Sequence, residues 1–162
     1  MGAFPKFPHI SCILGDVSSV FIKQCLNDIL NISASYYPFQ CEVEHLGMFR
    51  KQKSPRIIWA GVKDNKPLLD LQDEVSKCFR EGGIALKESP YTAHITLGSL
   101  RSARKRDLLV DAISMDSSNS FGTLNVVRIV IMESIPINLG VAYQVFEYNS
   151  FGQGHASACQ SL

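Results

Sequence analysis

Apolar and polar positions along the chain follow two rhythms, and the switches between them lay out the elements. Pro8-His9-Ile10-Ser11-Cys12-Ile13-Leu14 reads as a short strand closed by Gly15-Asp16. Ile22, Cys25, Leu26, Ile29 and Leu30 then recur at helical spacing. Phe39 to Phe49 and Arg56 to Val62 are rich in β-favouring residues, and the Lys51 to Pro55 stretch between them predicts a hairpin connection. Asp64-Asn65-Lys66-Pro67 supplies helix-start chemistry for an amphipathic run of Leu68, Leu71, Val75, Cys78 and Phe79 that stops at Gly82-Gly83. A strand over Tyr91 to Leu97 follows, then a short helix over Arg101 to Ile113 with a basic first turn. After a polar loop at Asp116 to Ser120, Leu124 to Glu133 reads as one long apolar strand, paired with Gly140 to Tyr148 through a turn holding Pro136 and Asn138.

No linker divides the 162 residues, so residues 1–151 are expected to form one α+β domain, with Gly152 to Leu162 as a frayed or disordered tail. Sixteen Lys and Arg against fifteen Asp and Glu leave a formal charge of +1. That balance predicts no strong non-specific hold on nucleic acid, so RNA binding would come from a local site that recognises a few nucleotides. No apolar run has the length of a membrane span, and Lys6 stands where a myristoylation signal wants Ser or Thr. The expectation is a cytoplasmic protein with no membrane partner. Cys12, Cys25, Cys41, Cys78 and Cys159 include no C-x-x-C pair, which argues against zinc ribbons and thioredoxin-like sites. Cys25 and Cys78 fall in helical apolar stripes and read as small buried hydrophobes.

One internal repeat carries chemistry. His9-Ile10-Ser11 and His94-Ile95-Thr96 both read His, apolar, hydroxyl, with apolar residues and a Gly after them. On a strand the His and the hydroxyl two positions on share a face, while the residue between them points the other way. Two such strands facing each other bring two imidazoles and two hydroxyls around one small volume. One imidazole can accept a proton while the other donates one, the two roles that in-line displacement at phosphorus needs. Ser11 and Thr96 would hold the non-bridging oxygens. The scheme needs no metal and no other cofactor, and no carboxylate pattern offers to hold Mg²⁺ there. His45 has Gly47 rather than a hydroxyl two residues on and reads as structural; Trp59, in an apolar strand, reads as core.

With these triplets the sequence resembles the 2H phosphoesterase superfamily, in particular the bacterial and archaeal RNA 2′,3′-cyclic phosphodiesterases also known as 2′-5′ RNA ligases. Leu14-Gly15-Asp16, Gly47-Met48-Phe49, Pro55 to Val62, and Glu133-Ser134 with Gly140 and Tyr143 extend the resemblance over most of the chain. It implies a two-lobed, pseudo-symmetric α+β fold of antiparallel sheets backed by helices, with the two His strands lining a cleft between the lobes. It also implies that His9 and His94 are the catalytic pair and that Ser11 and Thr96 bind phosphate. Candidate substrate contacts are Arg56, Arg101, Tyr143 and Phe49; for the two aromatics, stacking on a base and packing in the core are both open. The expected reaction is metal-independent opening of a 2′,3′-cyclic phosphate, or cleavage of 2′-5′ linkages, on RNA ends, short oligonucleotides or nucleotides. An alternative is a nucleotide-binding or anchoring module of the same fold with little turnover.

The sequence departs from the family pattern in three ways. Ser11 stands for the commoner Thr, and Ser99 stands where a basic residue is usual, with Arg101 two further on. Only eight residues precede His9, so the family's opening strand and helix are expected to be missing. An unpaired sheet edge in the first lobe would follow, and with it self-association or low stability.

Overall fold

The computed structural model describes the chain from Ser18 to Gly152, apart from residues 52–53, 64, 85, 87–89, 101–105, 116–118 and 139, and leaves the side chains of residues 19, 50–51, 54–56, 106, 134, 137, 140–141 and 146–149 outside the description. The expectations for the His9 strand, its Ser11, Cys12, Cys159, Arg101 and the tail beyond Gly152 lie outside the described residues. The element order is α1 (Ser19–Ser35), β1 (Phe39–Lys51), β2 (Ser54–Val62), α2 (Lys66–Glu81), β3 (His94–Ser99), α3 (Arg106–Met115), β4 (Ser120–Val126), β5 (Arg128–Ile137) and β6 (Gly140–Ser150). Antiparallel pairing makes a four-stranded sheet in the order β3-β2-β1-β4 and a separate two-stranded sheet of β5 and β6. Helices and antiparallel sheets give the α+β class read from the sequence.

Both long helices start where their capping chemistry lies. The Ser18 hydroxyl accepts from the Phe21 N–H, and the Asn65 side chain accepts from the Leu68 N–H with Pro67 in the first turn. Asn65 also donates to the Gln40 carbonyl at 2.9 Å, which ties the start of α2 to β1. Ile22, Cys25 and Ile29 of α1 meet Leu71, Val75, Cys78 and Phe79 of α2 in one buried cluster, with Ile129 and Ile131 of β5 packed against it. A second cluster joins Leu68 of α2 to the inward face of the larger sheet through Cys41, Val43, Ala60, Val62, Ala93 and Ile95. Each such aliphatic side chain contributes about 1.5–3 kcal/mol by leaving water, and the two clusters together hold α2 between the sheets.

Three sequence expectations change in detail. The strand expected over Leu124 to Glu133 is two strands in different sheets. Leu124 and Val126 pack against the sheet's cluster while Val126, Ile129 and Ile131 pack against the helices' cluster, so the inward phase slips at Val127-Arg128 and the chain changes sheet there. The connection from β1 to β2 is shorter than expected, because Lys51 pairs with Ser54 and Arg50 with Pro55. Strand β3 begins at His94 and not at Tyr91, since β2 ends at Val62 and the last bond at that end runs from the Val62 N–H to the Ala93 carbonyl. The expected helix is present as α3 over Arg106–Met115, and its 101–105 part, with the expected basic first turn, lies outside the described residues. At the other end of the described chain, Phe151 is buried and the Gly152 N–H donates to the Tyr36 carbonyl.

Cys25, Cys41 and Cys78 are free and buried, as the apolar stripes suggest for the two in helices. Burial pushes the Cys78 thiol up to about 11, with Cys25 close by adding to the shift, and burial also raises Cys41. A group whose proton is held more tightly in the folded state loses stabilising effect as pH rises from its unfolded value to its folded one. For Cys78 that window runs from 9.0 to about 11. Thermal melts between these limits should show Tm falling with pH, and Cys78→Ala should flatten part of that slope; an unchanged slope in the variant would refute the assignment.

Candidate active site

The face of the larger sheet opposite its core carries the candidate chemistry, and strand register decides which side chains meet there. His94 pairs with Gly61 and Thr96 with Trp59 across β3 and β2, while Gly47 pairs with Trp59 and Phe49 with Ile57 across β2 and β1. Directly paired residues share a face, so His94, Thr96, Trp59 and Phe49 gather on one side while Ile95 and Ala60 turn to the core. The Phe49 ring meets the His94 imidazole edge to face at 4.8 Å between centroids, and Trp59 lies 5.3 Å from Phe49 and 6.1 Å from His94.

His94 Nδ1 stands 2.7 Å from the Thr92 carbonyl oxygen. A carbonyl only accepts, so Nδ1 donates its hydrogen and Nε2 is the nitrogen left for chemistry. The Thr96 side chain, half-buried two residues on, projects from the same face. Among the described residues none hydrogen-bonds its hydroxyl. The arrangement is one imidazole with a fixed donor side, one hydroxyl beside it, and aromatic rings behind.

Two glycines make room for those rings. A Cβ on Gly47 would stand 2.2 Å from the Trp59 ring, and one on Gly61 would stand 2.4 Å from the His45 ring. His45 is the extra residue of a bulge in β1, between the Glu44–Gly61 and Leu46–Ala60 pairs. Its φ of 40° is the left-handed conformation usual for glycine at such a bulge, a cost of roughly 1–2 kcal/mol for a residue with a side chain. Its N–H donates to the Asn119 carbonyl at 3.0 Å, and its ring meets Trp59 edge to face at 5.6 Å.

Of the residues singled out from sequence, the structure brings His94, Thr96 and Phe49 together, with the Phe49 ring against the candidate imidazole. Trp59, read as core, sits instead on this outer face, half-buried. Tyr143 is 45% exposed on β6, on the face of the smaller sheet opposite its core, and makes no ring contact with this cluster. Arg56 has its backbone in β2 and its side chain outside the description. Strand β3 ends at Ser99, two residues before Arg101, which lies outside the described residues. His9 and Ser11 lie outside the described residues. Sequence reading sets His45 aside; the break in alternation from Cys41 and Val43 to Leu46 is the signal that a bulge places it.

Residues 4–134 match the family described as the 2′-5′ RNA ligase superfamily. The chain belongs to that superfamily. It is 29% identical over 147 residues to the RNA 2′,3′-cyclic phosphodiesterase of Archaeoglobus fulgidus, covering 88% of this chain and 81% of the relative. It is 28% identical over 146 residues to the protein of the same name from Aquifex aeolicus, covering 88% and 77%. The structure of TT0787 of Thermus thermophilus superposes with a TM-score of 0.72 at 20% identity, over 88% of this chain and 77% of that one. E. coli LigT in complex with 3′-AMP superposes at 0.64 with 17% identity, over 90% and 78%. These likenesses carry the fold that the family resemblance implies, and the superfamily membership carries the enzyme reading over that of a passive module. No described helix is long and apolar enough to cross a membrane.

Within this superfamily member the glycine seats predict a sharp contrast. Gly47→Ala drives a methyl into the Trp59 ring and should cost about 1–3 kcal/mol by overpacking. Gly98→Ala meets nothing within 4 Å and should be neutral or slightly stabilising. Denaturant melts of both variants check this, and equal stability of the two would show that Trp59 does not occupy the space over Gly47.

Proposed function

We propose that the chain is a metal-independent phosphodiesterase that opens 2′,3′-cyclic phosphates, or cleaves 2′-5′ linkages, on RNA ends, short oligonucleotides or nucleotides. The observation that carries the reading is the His94 bond to the Thr92 carbonyl. It engages Nδ1 as the donor and holds the imidazole without using up its second nitrogen. Thr96 on the same face would offer its hydroxyl to a phosphoryl oxygen. His9 and Ser11 repeat the same triplet and would supply the second set. The relatives named RNA 2′,3′-cyclic phosphodiesterase support the substrate class.

In this reaction one imidazole takes a proton from water as the water oxygen bonds to phosphorus. The bond from phosphorus to the 3′ oxygen breaks, and the second imidazole delivers a proton to that oxygen, leaving a 2′-phosphate and a 3′-hydroxyl. Ser11 and Thr96 donate to the non-bridging oxygens as charge builds on them. Phe49 backs His94, and Arg56, Arg101 and Tyr143 remain candidate contacts to the rest of the nucleotide. Residues 1–151 form the working unit in this proposal, and the protein acts in the cytoplasm.

Incubation with 2′,3′-cyclic AMP, with and without EDTA, tests the reading by the appearance of the ring-opened 2′-phosphate. Turnover should be unchanged by the chelator, and His9→Ala and His94→Ala should each lower kcat by about 10²- to 10⁴-fold with folding kept. Turnover within a factor of two of the unaltered protein in either variant would remove that histidine from the mechanism. Turnover that EDTA abolishes and a divalent ion restores would overturn metal independence.

A further inference from the structure

We infer that His45 is a positioning residue for His94, acting through the Trp59 ring. Three observations converge on it. His45 occupies a left-handed backbone position that a glycine would hold without cost, so its side chain is kept against a conformational penalty. Its ring fills the space over Gly61, the residue paired directly with His94 in the neighbouring strand. It then contacts Trp59 edge to face, and Trp59 in turn contacts both Phe49 and His94.

Trp59 needs this support because nothing polar orients it. Its Nε1 is buried and makes no hydrogen bond among the described residues, so the ring is held by shape alone. Gly47 lies beneath it, Phe49 on one side and His45 on another. Removing the His45 ring opens one side and lets the indole turn or slide. The Thr92 carbonyl still holds Nδ1 of His94, yet the ring's swing about that bond is limited by Phe49 and Trp59. Small displacements of a reacting group are costly in rate, up to about a hundredfold for an ångström.

The inference deepens the reading above and rests on it, so its test has one arm that needs no substrate. His45→Gly relieves the backbone and removes the ring. With 2′,3′-cyclic AMP it should lower kcat about tenfold while KM stays within a factor of three and the melting temperature holds or rises. His45→Phe restores a ring of similar shape that cannot ionise and should return kcat to within threefold of the unaltered protein. Trp59 is the sole tryptophan, so its emission reports the packing directly. Acrylamide should quench it more readily in His45→Gly and normally in His45→Phe.

A His45→Gly protein with unchanged kcat and unchanged quenching would overturn the inference. So would a His45→Phe protein as slow as His45→Gly, since the loss would then belong to the imidazole's own chemistry. An unaltered protein that fails to open the cyclic nucleotide would count against the proposed activity alone, because the quenching comparison is made without substrate.

Discussion

The seating of aromatic rings on bare glycine backbone is the contact on which the outer face of the larger sheet depends. Gly47 and Gly61 lie in register beside Trp59 and His94, and neither has room for a Cβ. Strand pairing therefore does more than build a sheet. It places two flat gaps side by side, one filled by the indole and the other by the His45 imidazole, with Phe49 and His94 closing the cluster. The opposite face of the same strands buries Cys41, Val43, Ala60, Val62, Ala93 and Ile95 against α2, so a slip of one residue would exchange core and site. Fold and site are set by one choice of register.

The polar chemistry rides on that frame with few groups. His94 needs one backbone carbonyl to fix its donor side, and Thr96 needs only its place two residues along the strand. Such economy would suit the proposed reaction at phosphorus, in which two protons move and charge builds on the non-bridging oxygens. The Phe49 and Trp59 rings pack against the imidazole, and its second nitrogen is left free of the Thr92 bond.

Much of this is legible in the sequence, and the parts that are not have physical causes. The α2 boundaries stand in Asn65, Pro67 and Gly82, because capping is a local matter. The pairing of β1 with β2 follows from composition, and the His-x-Thr triplet marks β3. The split of β4 from β5 and the outward turn of Trp59 both come from phase. Leu124 and Val126 followed by Ile129 and Ile131 is a break in alternation that hydrophobicity alone hides, since Val127 is also apolar. The same break after Val43 marks the bulge at His45, and Trp59 reads as core because its strand is apolar throughout. Which apolar residue faces outward depends on register with β1 and β3, and that is not written in β2 itself.

The tautomer of His94 is the feature on which the proposed chemistry stands most directly. Two-dimensional ¹H–¹⁵N spectra of the imidazole side chains, assigned by comparison with His94→Ala, read it without substrate. With the ring neutral, the prediction is a protonated, pyrrole-like Nδ1 held by the Thr92 carbonyl and a bare, pyridine-like Nε2. The reverse pattern, with the hydrogen on Nε2 and a bare Nδ1, would contradict it.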